Sequence, residues 1–479
     1  MNNSTYTELV FAVCGPVDAG KSSLIGVLTS GKLDDGRGLA RNKVLIHPHE
    51  RETGKTSHIT YNPLIYKNIT SDNKNNALAG SDTNNNISLV NPKDAKQILY
   101  NFDVKNKLFD NKIISFIDLA GHEKYLKTTI FGVTGLFPDY GIVVIGANTG
   151  ITKLTKEHLG ILLYLKVPFV ITITKIDLAP THVYQNLCNQ LKALLGRKTF
   201  GKVLYFISNT NSDSEVEHYI EHMSNNQDII PIISISNKDG TNITNLHKIL
   251  YSLPIRDKWA DTKTDGTIFY IDSHYMIPGI GLVLSGTNKG NPIKVKQKMY
   301  LGPFVNKFTK GIVSDKLDSS DNKPLEGLFK EITIRTMHDN IRQNVNELQS
   351  GLPGSVSFKL TSQKDVVERK MIKKGMVIID DLNKYKKNVV DTFWAKINVL
   401  HHATTIKEGY SPVIHCGPIR QTAKIIFEEN ENNVLRSGDN KVVKIKFTYH
   451  PEFIEENMIF FFRDGTTKGV GQVLKLTDD

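Results

Sequence analysis

The first half of the chain alternates short apolar runs with amphipathic segments. The apolar runs are residues 9–14, 113–117, 140–146, 169–174 and 231–236. The amphipathic segments have a helical period and are residues 22–29, 157–165, 185–195 and 243–253. Apolar strands that alternate with helices are typical of a mostly parallel sheet covered on both faces. The pattern therefore predicts an α/β domain over residues 1–255.

The pattern changes after Pro254. Short runs rich in Val, Ile, Thr and Phe follow at close spacing, with Gly and Pro between them and no long helical period. This is typical of all-β barrels or sandwiches. We expect two such domains, over residues 256–370 and 371–479. The apolar run 376–379 fits either side of that boundary, and a new β block begins near Asp391.

Two polar segments have the composition of insertions. Residues 68–86 are dense in Asn, Ser, Asp and Gly, which predicts a surface loop. Residues 196–226 are partly polar, and we expect them to be irregular.

The composition is that of an ordinary globular protein. Of the 479 residues, 39% are hydrophobic and 23% are charged, which excludes disorder of the whole chain. The apolar runs are all shorter than the ~18 residues that a membrane helix requires, so we expect no membrane segment. The cysteines Cys14, Cys188 and Cys416 lack metal-type spacing, which favours a reducing compartment and a cytoplasmic location.

The chain is basic. It has 60 Lys and Arg against 49 Asp and Glu, a formal net charge of +11. The excess is spread along the chain and is densest over residues 256–370. Such a charge is compatible with a polyanionic partner such as RNA, and equally with an ordinary surface.

A phosphate-binding motif follows the first apolar run. Residues 15–22 read Gly-Pro-Val-Asp-Ala-Gly-Lys-Ser, which fits G-x-x-x-x-G-K-[ST] between a strand and a helix. Glycines let the backbone wrap around phosphate oxygens, and the amides of the loop point at the negative charge. We expect Lys21 to face the β and γ phosphates and the Ser22 hydroxyl to coordinate Mg²⁺. The predicted phosphate-binding residues are Gly15, Val17, Asp18, Ala19, Gly20, Lys21, Ser22 and Ser23.

A second motif follows the apolar run 113–117. It reads Asp118-Leu119-Ala120-Gly121-His122. An acidic residue at the carboxyl end of a parallel strand lies where open α/β sheets bind ligands. We expect Asp118 to hold Mg²⁺ through water and the Gly121 amide to meet a γ-phosphate.

The base-reading residues are expected at two later strand ends. Thr174, Lys175 and Asp177 end the run 169–174, and a carboxylate there accepts hydrogens from guanine N1 and the exocyclic amine. Adenine offers no such donor pair, so it would leave the carboxylate unpaired. Lys175 would lie along the base plane, and an amide at Ser236 or Asn237 would meet the guanine oxygen. These residues favour GTP over ATP.

Taken in order, these motifs resemble the translational GTPases of the elongation factor Tu class, and more narrowly the GTP-binding protein 1 and 2 branch. The matching stretches are residues 15–24, 31–41, 117–129, 155–160, 174–177, 278–281, 285–287, 415–423 and 462–471. The resemblance implies a P-loop GTPase domain followed by two β-barrels, which agrees with the α/β and all-β patterns.

The resemblance also implies roles for individual residues. Thr56 matches the switch I threonine, whose hydroxyl completes Mg²⁺ coordination while the γ-phosphate is present. His122 matches the histidine that orients the attacking water, and Asp18 the acid that brings a monovalent cation such as K⁺ near the phosphates. Val17 matches one wall of an apolar gate around the water. The other wall would be Lys55 here, which departs from the family's isoleucine.

The function implied is hydrolysis of GTP to GDP and phosphate by a molecular switch. The partners implied by the family are aminoacyl-tRNA and the ribosome, whose large subunit would activate hydrolysis. Arg420 and Lys424 would then face RNA, or else belong to ordinary surface strands. An alternative is a GTP-gated adaptor for RNA-decay or other proteins. A weaker third alternative is a GTPase subunit of sulfate activation, which the matches at residues 31–41 and 415–423 disfavour.

Overall fold

The computed structural model describes most of the chain. The described residues are 6–45, 47–53, 56, 59–68, 87–90, 111–196, 200–208, 211, 213–225, 228–259, 262, 264–304, 328–427, 434–465 and 467–476. They form two compact units. The first comprises Met1–Val133 with Pro138–Arg256, and the second comprises Thr134–Phe137 with Asp257–Asp479.

An eight-stranded sheet lies at the centre of the first unit. Its strands are β1 (Tyr6–Cys14), β2 (Thr60–Asn68), β3 (Ile87–Val90), β4 (Asn111–Asp118), β5 (Tyr140–Gly146), β6 (Phe169–Thr174), β7 (Val203–Ile207) and β8 (Ile229–Ser234). Their order is β3-β2-β4-β1-β5-β6-β8-β7. The pairs from β4 to β7 are parallel, whereas β2 runs antiparallel to β4 and to β3. The predicted α/β sheet is confirmed.

Helices alternate with these strands. The α-helices are α1 (Lys21–Ser30), α2 (Pro48–Thr53), α3 (Leu126–Thr134), α4 (Lys153–Tyr164), α5 (Thr181–Leu195), α6 (Asp213–Asn225) and α7 (Ile243–Ser252). Single 3₁₀ turns cover Arg41–Lys43, Glu123–Tyr125 and Ile176–Leu178. Strands β5 and β6 are buried along their whole length because they are apolar on both faces and lie inside the sheet.

The segment 196–226, which the sequence predicts to be irregular, contains a strand and a helix; that prediction is wrong. Strand β7 pairs in parallel with β8 at the edge of the sheet. Helix α6 buries Ile220 and Met223, which are three residues apart on one face, in the core. Because the apolar face of α6 is narrow, the sequence of this helix is mostly polar and does not show a clear helical pattern. The predicted loop at 68–86 lies outside the described residues except for Asn68.

The second unit begins with a six-stranded antiparallel barrel. Its strands and their short additions are β9 (Thr267–Ile277), β10 (Gly281–Gly290), β11 (Ile293–Lys294), β12 (Lys298–Gly302), β13 (Lys330–Asp339), β14 (Asn344–Val345), β15 (Glu347–Leu348), β16 (Pro353–Leu360) and β17 (Val377–Ile379). The order is β12-β17-β9-β10-β16-β13, and β13 pairs back onto β12. The run 376–379 therefore belongs to this sheet, since β17 pairs with β9 and β12. The predicted boundary near residue 370 consequently falls before the barrel's last strand.

A second closed barrel follows. Its segment contains β18 (Val389–Val390), β19 (Thr392–His401), β20 (Ile406–Lys407), β21 (Val413–Cys416), β22 (Ile419–Ile426), β23 (Val434–Leu435), β24 (Asn440–Phe447), β25 (Glu452–Phe453), β26 (Ile459–Asp464) and β27 (Thr467–Lys475). The barrel order is β19-β24-β22-β21-β26-β27. Gly469 and Gly471 leave room for the rings of Phe462 and Phe460, which a Cβ at either glycine would meet. The prediction of two barrels is thus confirmed.

A buried ion pair joins the two barrels. Lys289, on β10, lies 2.8 Å from the Glu455 carboxylate, which follows β25, and its side chain is 1% exposed. The Tyr270 hydroxyl donates to the same carboxylate, and the Lys289 ammonium lies 5.3 Å from the centre of the Trp259 ring. Aromatic contacts between Tyr270 and Phe453 continue the junction. Within the described part of the chain, no helix is both long and apolar enough to cross a membrane.

Candidate nucleotide-binding site

The phosphate motif forms the turn between β1 and α1. Asp18 and Gly20 adopt left-handed backbone conformations, with φ of 60° and 89°. Gly20 is the N-cap residue immediately before α1, so the first amides of the helix are directed into the loop. The Thr174 hydroxyl donates to the Ala19 carbonyl at 2.6 Å and holds the far side of the turn. Val17 and Ser23 are half-buried and Asp18 is exposed.

Three oxygen-bearing side chains meet beside this turn. The Ser22 hydroxyl donates to Asp118 Oδ2 at 2.7 Å, and the Thr56 hydroxyl donates to the same oxygen at 3.1 Å. The two hydroxyls are 3.0 Å apart. The structure thus brings together residues from α1, from the segment before β2 and from the end of β4. Hard oxygen ligands of this kind suit Mg²⁺.

The Asp118 carboxyl has a further feature that fits a metal ion. It is 0% exposed, and its second oxygen, Oδ1, has no hydrogen-bond partner among the described residues. Burial raises the pKa of this carboxyl, while Lys21 and the two hydroxyls lower it. A buried carboxylate oxygen without a partner is costly. A bound cation would satisfy it, so these residues fit the magnesium expected from the sequence.

Lys21 is the cation of the site. Its ammonium donates to the Pro16 carbonyl at 2.9 Å, and the side chain is buried. Burial lowers the pKa of Lys21, and the charge of Asp118 raises it. Both groups are therefore desolvated and face each other's charge. A phosphate would provide the buried ammonium with a second opposite charge.

Gly121 packs directly against the phosphate loop. A Cβ at this position would lie 2.8 Å from the Gly15 carbonyl oxygen and would also meet the Lys21 ammonium. A larger residue would therefore push the loop apart. The expected approach of the residue 121 backbone to the phosphate site is compatible with this packing.

His122 lies apart from the three oxygen-bearing side chains of Ser22, Thr56 and Asp118. The side chain is exposed, and its Nδ1 accepts a hydrogen bond from the Lys124 amide at 3.1 Å. Its ring lies 6.2 Å from that of Tyr125. Among the described contacts, none joins His122 to Lys21, Ser22 or Thr56. The structure places it beside the strand end but does not bring it onto the phosphate loop.

The base-reading residues lie at neighbouring strand ends. Thr174 is fully buried, Lys175 has a left-handed backbone with φ of 60°, and Asp177 is exposed in the following 3₁₀ turn. Ser236 is buried and its hydroxyl accepts from the amides of residues 238 and 239. Asn237 Oδ1 is buried without a partner among the described residues, and the Asn237 amide group is close to Gly20. Strands β6 and β8 are paired, so these two loops share one edge.

Two residues near the site were not assigned a role from the sequence. Glu50 in α2 is 0% exposed, and its charge raises the pKa of Asp118. His158 in α4 is 1% exposed, and neither ring nitrogen has a partner within the described part. Burial, followed by the charge of Lys21, lowers the pKa of His158 to about 3. A helical pattern alone does not show which polar residue the sheet will cover. Lys55, the expected gate residue, lies outside the described residues.

Known proteins are similar to this chain in sequence and in fold. Residues 7–254 match the family of the elongation factor Tu GTP binding domain. GTP-binding protein 1 of Xenopus laevis is 36% identical over 476 residues, which cover 99% of this chain and 64% of that protein. GTP-binding protein 2 of Homo sapiens is 31% identical, with 98% of this chain and 70% of that protein covered. The chain thus spans about two thirds of the length of these relatives.

Solved structures show the same fold at lower identity. The bacterial selenocysteine-specific elongation factor EF-Sec superposes with a TM-score of 0.60 at 16% identity, over 98% of this chain and 58% of that one. Elongation factor SelB from Methanococcus maripaludis with a GTP analogue gives 0.58 at 15% identity, over 98% and 80%. Because the family match covers more than half of the chain, and the similarity to GTP-binding protein 2 extends over both barrels, the chain belongs to the elongation factor Tu class of translational GTPases as a GTP-binding protein.

Proposed function

We propose that this protein is a molecular switch that hydrolyses GTP to GDP and phosphate. The observation that supports it most is the cluster of Ser22, Thr56 and Asp118 around one point beside the phosphate loop. Thr56 comes from a segment that is distant in sequence, so its position can report whether the γ-phosphate is present. Family membership supports GTPase activity in general terms.

The chain's own residues would divide the work as follows. Lys21 neutralises charge on the β and γ phosphates, and the loop amides at the start of α1 bind phosphate oxygens. Ser22 and Thr56 would hold Mg²⁺, with Asp118 behind them. When bound, this ion would neutralise charge that develops on the phosphates. Gly121 permits the backbone after β4 to approach the same phosphates.

His122 is proposed to orient the attacking water. In the structure its Nδ1 accepts a hydrogen bond, so the neutral ring carries its proton on Nε2. A water held by that ring would accept from Nε2–H, and a rotation of the exposed side chain toward the phosphate site would be required first. Such a requirement gives a reason for slow hydrolysis until a partner positions the loop.

Guanine selectivity is assigned to Asp177, Lys175 and the loop at Ser236 and Asn237. Asp177 would accept two hydrogen bonds from guanine, and adenine would leave that carboxylate unpaired. We also propose that a K⁺ ion binds near Asp18. The Asp18 side chain is exposed at the top of the loop, and its charge raises the pKa of Lys21. Dependence of turnover on K⁺ against Na⁺ tests this point.

The decisive experiment is GTP turnover with and without ribosomes. His122→Ala should lower the stimulated rate by about 10²–10⁴ while leaving nucleotide affinity unchanged. His182→Ala, an exposed histidine in α5, is the matched control. If His122→Ala turns over GTP as fast as the wild type, His122 has no part in the mechanism. If the wild type shows no turnover under any condition, the proposed hydrolysis of GTP is wrong.

For the cellular role we propose action on ribosomes with aminoacyl-tRNA. Two observations support it: the family, and a fold shared over 98% of the chain with a protein described as a selenocysteine-specific elongation factor. Filter binding of charged and deacylated tRNA, each with GTP or GDP, tests it. Preferential retention of charged tRNA with GTP is expected. Equal, weak retention in all four cases would contradict it.

The second candidate is a GTP-gated adaptor whose barrels bind proteins of RNA decay. The similarity to GTP-binding proteins 1 and 2 over both barrels is the observation that supports this adaptor role. A GTP-dependent pull-down that survives RNase treatment would favour the adaptor. Loss of all partners on RNase treatment would favour the ribosomal role.

A further inference from the structure

Segment 31–40, which follows α1, lies against loop 236–240, which follows β8. The loop contains two of the residues to which guanine selectivity is assigned. The Asp34 amide donates a hydrogen bond to the Asn237 carbonyl at 2.8 Å, although the two residues are far apart in sequence. The bond uses the backbone of both residues, so it joins the segment to the loop whatever their side chains do.

Two side-chain contacts accompany this hydrogen bond. Leu33 packs on Gly240, where a Cβ would lie 3.3 Å from Leu33 Cδ1. The methylene groups of Lys238 pass beside Gly36, where a Cβ would lie 3.7 Å from Lys238 Cδ. Leu33 is 45% exposed, so the contact lies at the surface and covers the outer side of the loop.

Segment 31–40 is itself fixed to α1. The Ala40 amide donates to Asp34 Oδ1 at 2.8 Å, which closes the segment on itself. Gly26 in α1 leaves room for the Ala40 backbone, which a Cβ at position 26 would overlap. Because α1 begins at the phosphate loop, the segment extends from the phosphate half of the nucleotide site to its guanine half.

Loop 236–240 is a compact turn. The Gly240 amide donates to the Ser236 carbonyl at 3.1 Å, and the Ser236 amide donates to the Thr241 carbonyl at 3.2 Å. The Ser236 hydroxyl accepts from the amides of residues 238 and 239. A turn closed by its own hydrogen bonds moves as one unit, so contacts on its outer side restrain all of it.

We propose that segment 31–40 is a latch that holds loop 236–240 against the guanine base and slows the release of guanine nucleotides. The base leaves when the loop moves outward, and this movement breaks the contacts at Asn237, Lys238 and Gly240. A contact that must break before dissociation acts mainly on the off-rate. The proposal deepens the proposed function, because it rests on the assignment of guanine to this loop.

The latch acts more on GDP than on GTP. The chain continues from segment 31–40 to Thr56, whose hydroxyl meets Ser22 and Asp118. With GTP bound, Thr56 provides a second anchor for this part of the chain, and that anchor is lost with the γ-phosphate. After hydrolysis the contacts with loop 236–240 are the anchor that remains.

The test measures nucleotide release from the full chain in Mg²⁺. Fluorescent GDP, or a fluorescent non-hydrolysable GTP analogue, is displaced by an excess of unlabelled nucleotide. The variants are Leu33→Ala and Lys238→Ala, singly and combined. Leu39→Ala is the matched control, because Leu39 is an exposed leucine of the same segment whose amide bonds within the segment, to Asp35. Leu33→Met keeps the apolar contact and serves as the conservative variant.

We expect the double variant to release GDP about tenfold faster and the GTP analogue roughly threefold faster, with unchanged association rates. Leu39→Ala and Leu33→Met should release both nucleotides as the wild type does. Release by the double variant at the wild-type rate would overturn the proposal. Equal acceleration for the two nucleotides would overturn the link to Thr56.

Hydrogen exchange of the nucleotide-free proteins separates the latch from direct contact with the nucleotide. The amides of residues 238–240 are bonded inside the loop. In the double variant they should exchange faster than in the wild type, since the loop opens more often. Faster nucleotide release without faster exchange would mean that the two side chains touch the nucleotide, and it would overturn the latch.

Failure of the latch is distinguishable from failure of the proposed function. If the wild type binds and hydrolyses GTP while the double variant releases GDP at the wild-type rate, the latch alone fails. If the wild type binds GDP and GTP without hydrolysis and the double variant releases them faster, hydrolysis fails and the latch is supported. If the wild type binds neither nucleotide, both proposals fail.

Discussion

The hydroxyl of Thr174 donates a hydrogen bond to the carbonyl of Ala19, with 2.6 Å between the oxygens, although 155 residues separate them. Thr174 begins the turn that would read guanine, and Ala19 is inside the phosphate loop. The two halves of the nucleotide site are therefore tied to each other by a buried contact. Strands β1, β5 and β6 make this possible because they run in parallel and end at one edge.

Removing this contact should weaken the binding of both GTP and GDP. Thr174→Val deletes the donor and leaves the Ala19 carbonyl buried without it, at a cost of about 1–3 kcal/mol. We expect GTP and GDP affinity to fall together by roughly tenfold, as measured by calorimetry. Thr172→Val is the control, since Thr172 is also buried but its hydroxyl has no partner in the described part of the chain. Equal affinities for the two variants would show that the contact is not important.

Thr56→Ala should weaken the binding of GTP more than the binding of GDP. The hydroxyl reaches Ser22 and Asp118 from a different segment, so its loss should act only on the state that orders this segment. We expect the preference for GTP over GDP to fall by about tenfold in the presence of Mg²⁺, corresponding to a charge-assisted contact of about 1.5 kcal/mol. Measurement of both affinities with Mg²⁺ and with EDTA checks this. A parallel loss for both nucleotides would indicate a purely structural role.

Stability should depend on pH through His158. Burial lowers its pKa in the folded protein to about 3, whereas an unfolded histidine has a pKa near 6.5. The unfolded chain therefore binds more protons between these values, and stability falls as the pH drops below about 6.5. At pH 5.5 this one group should cost about 1.4 kcal/mol relative to pH 8.

His158→Phe provides the comparison for that pH effect. A phenyl ring replaces the imidazole and cannot be protonated, so the variant should lose less stability between pH 8 and pH 5.5 than the wild type. Urea unfolding at both pH values measures the difference. His247 is half-buried, and burial lowers its pKa to about 4, so it should contribute in the same direction and remains in both proteins. Identical pH profiles would contradict the assignment to His158.

The ion pair between the barrels gives a prediction on stability. Glu455→Gln leaves the Lys289 ammonium buried without its counter-charge, which typically costs about 3–5 kcal/mol. Lys289→Met combined with Glu455→Gln removes both charges and should recover much of the loss. Thermal unfolding of the three proteins tests this order. Lys298→Met is the control, because its pair with Glu331 is largely exposed and worth little. A single variant as stable as the control would contradict the prediction.

Much of this protein was determined by the sequence itself. The phosphate motif, the strand-end Asp118 and the Thr174–Asp177 turn are local, because each follows directly on an apolar strand whose end fixes its place. The change of pattern after Pro254 predicted all-β domains, since short runs rich in Val, Ile, Thr and Phe at close spacing, with Gly and Pro between them, are typical of barrels or sandwiches. The resemblance of these motifs to a known family identified Thr56 as well.

Tertiary structure decided what depends on contacts between distant segments. Thr56 reaches Asp118 across 62 residues, and Glu50 and His158 are polar residues that only packing against the sheet buries. Segment 196–226 became a strand and a helix because β8 and the core offered partners that its own polar sequence does not show. The register that places Lys424 opposite Lys446 likewise exists only in the closed barrel, because register is fixed by pairing between strands rather than by any one strand.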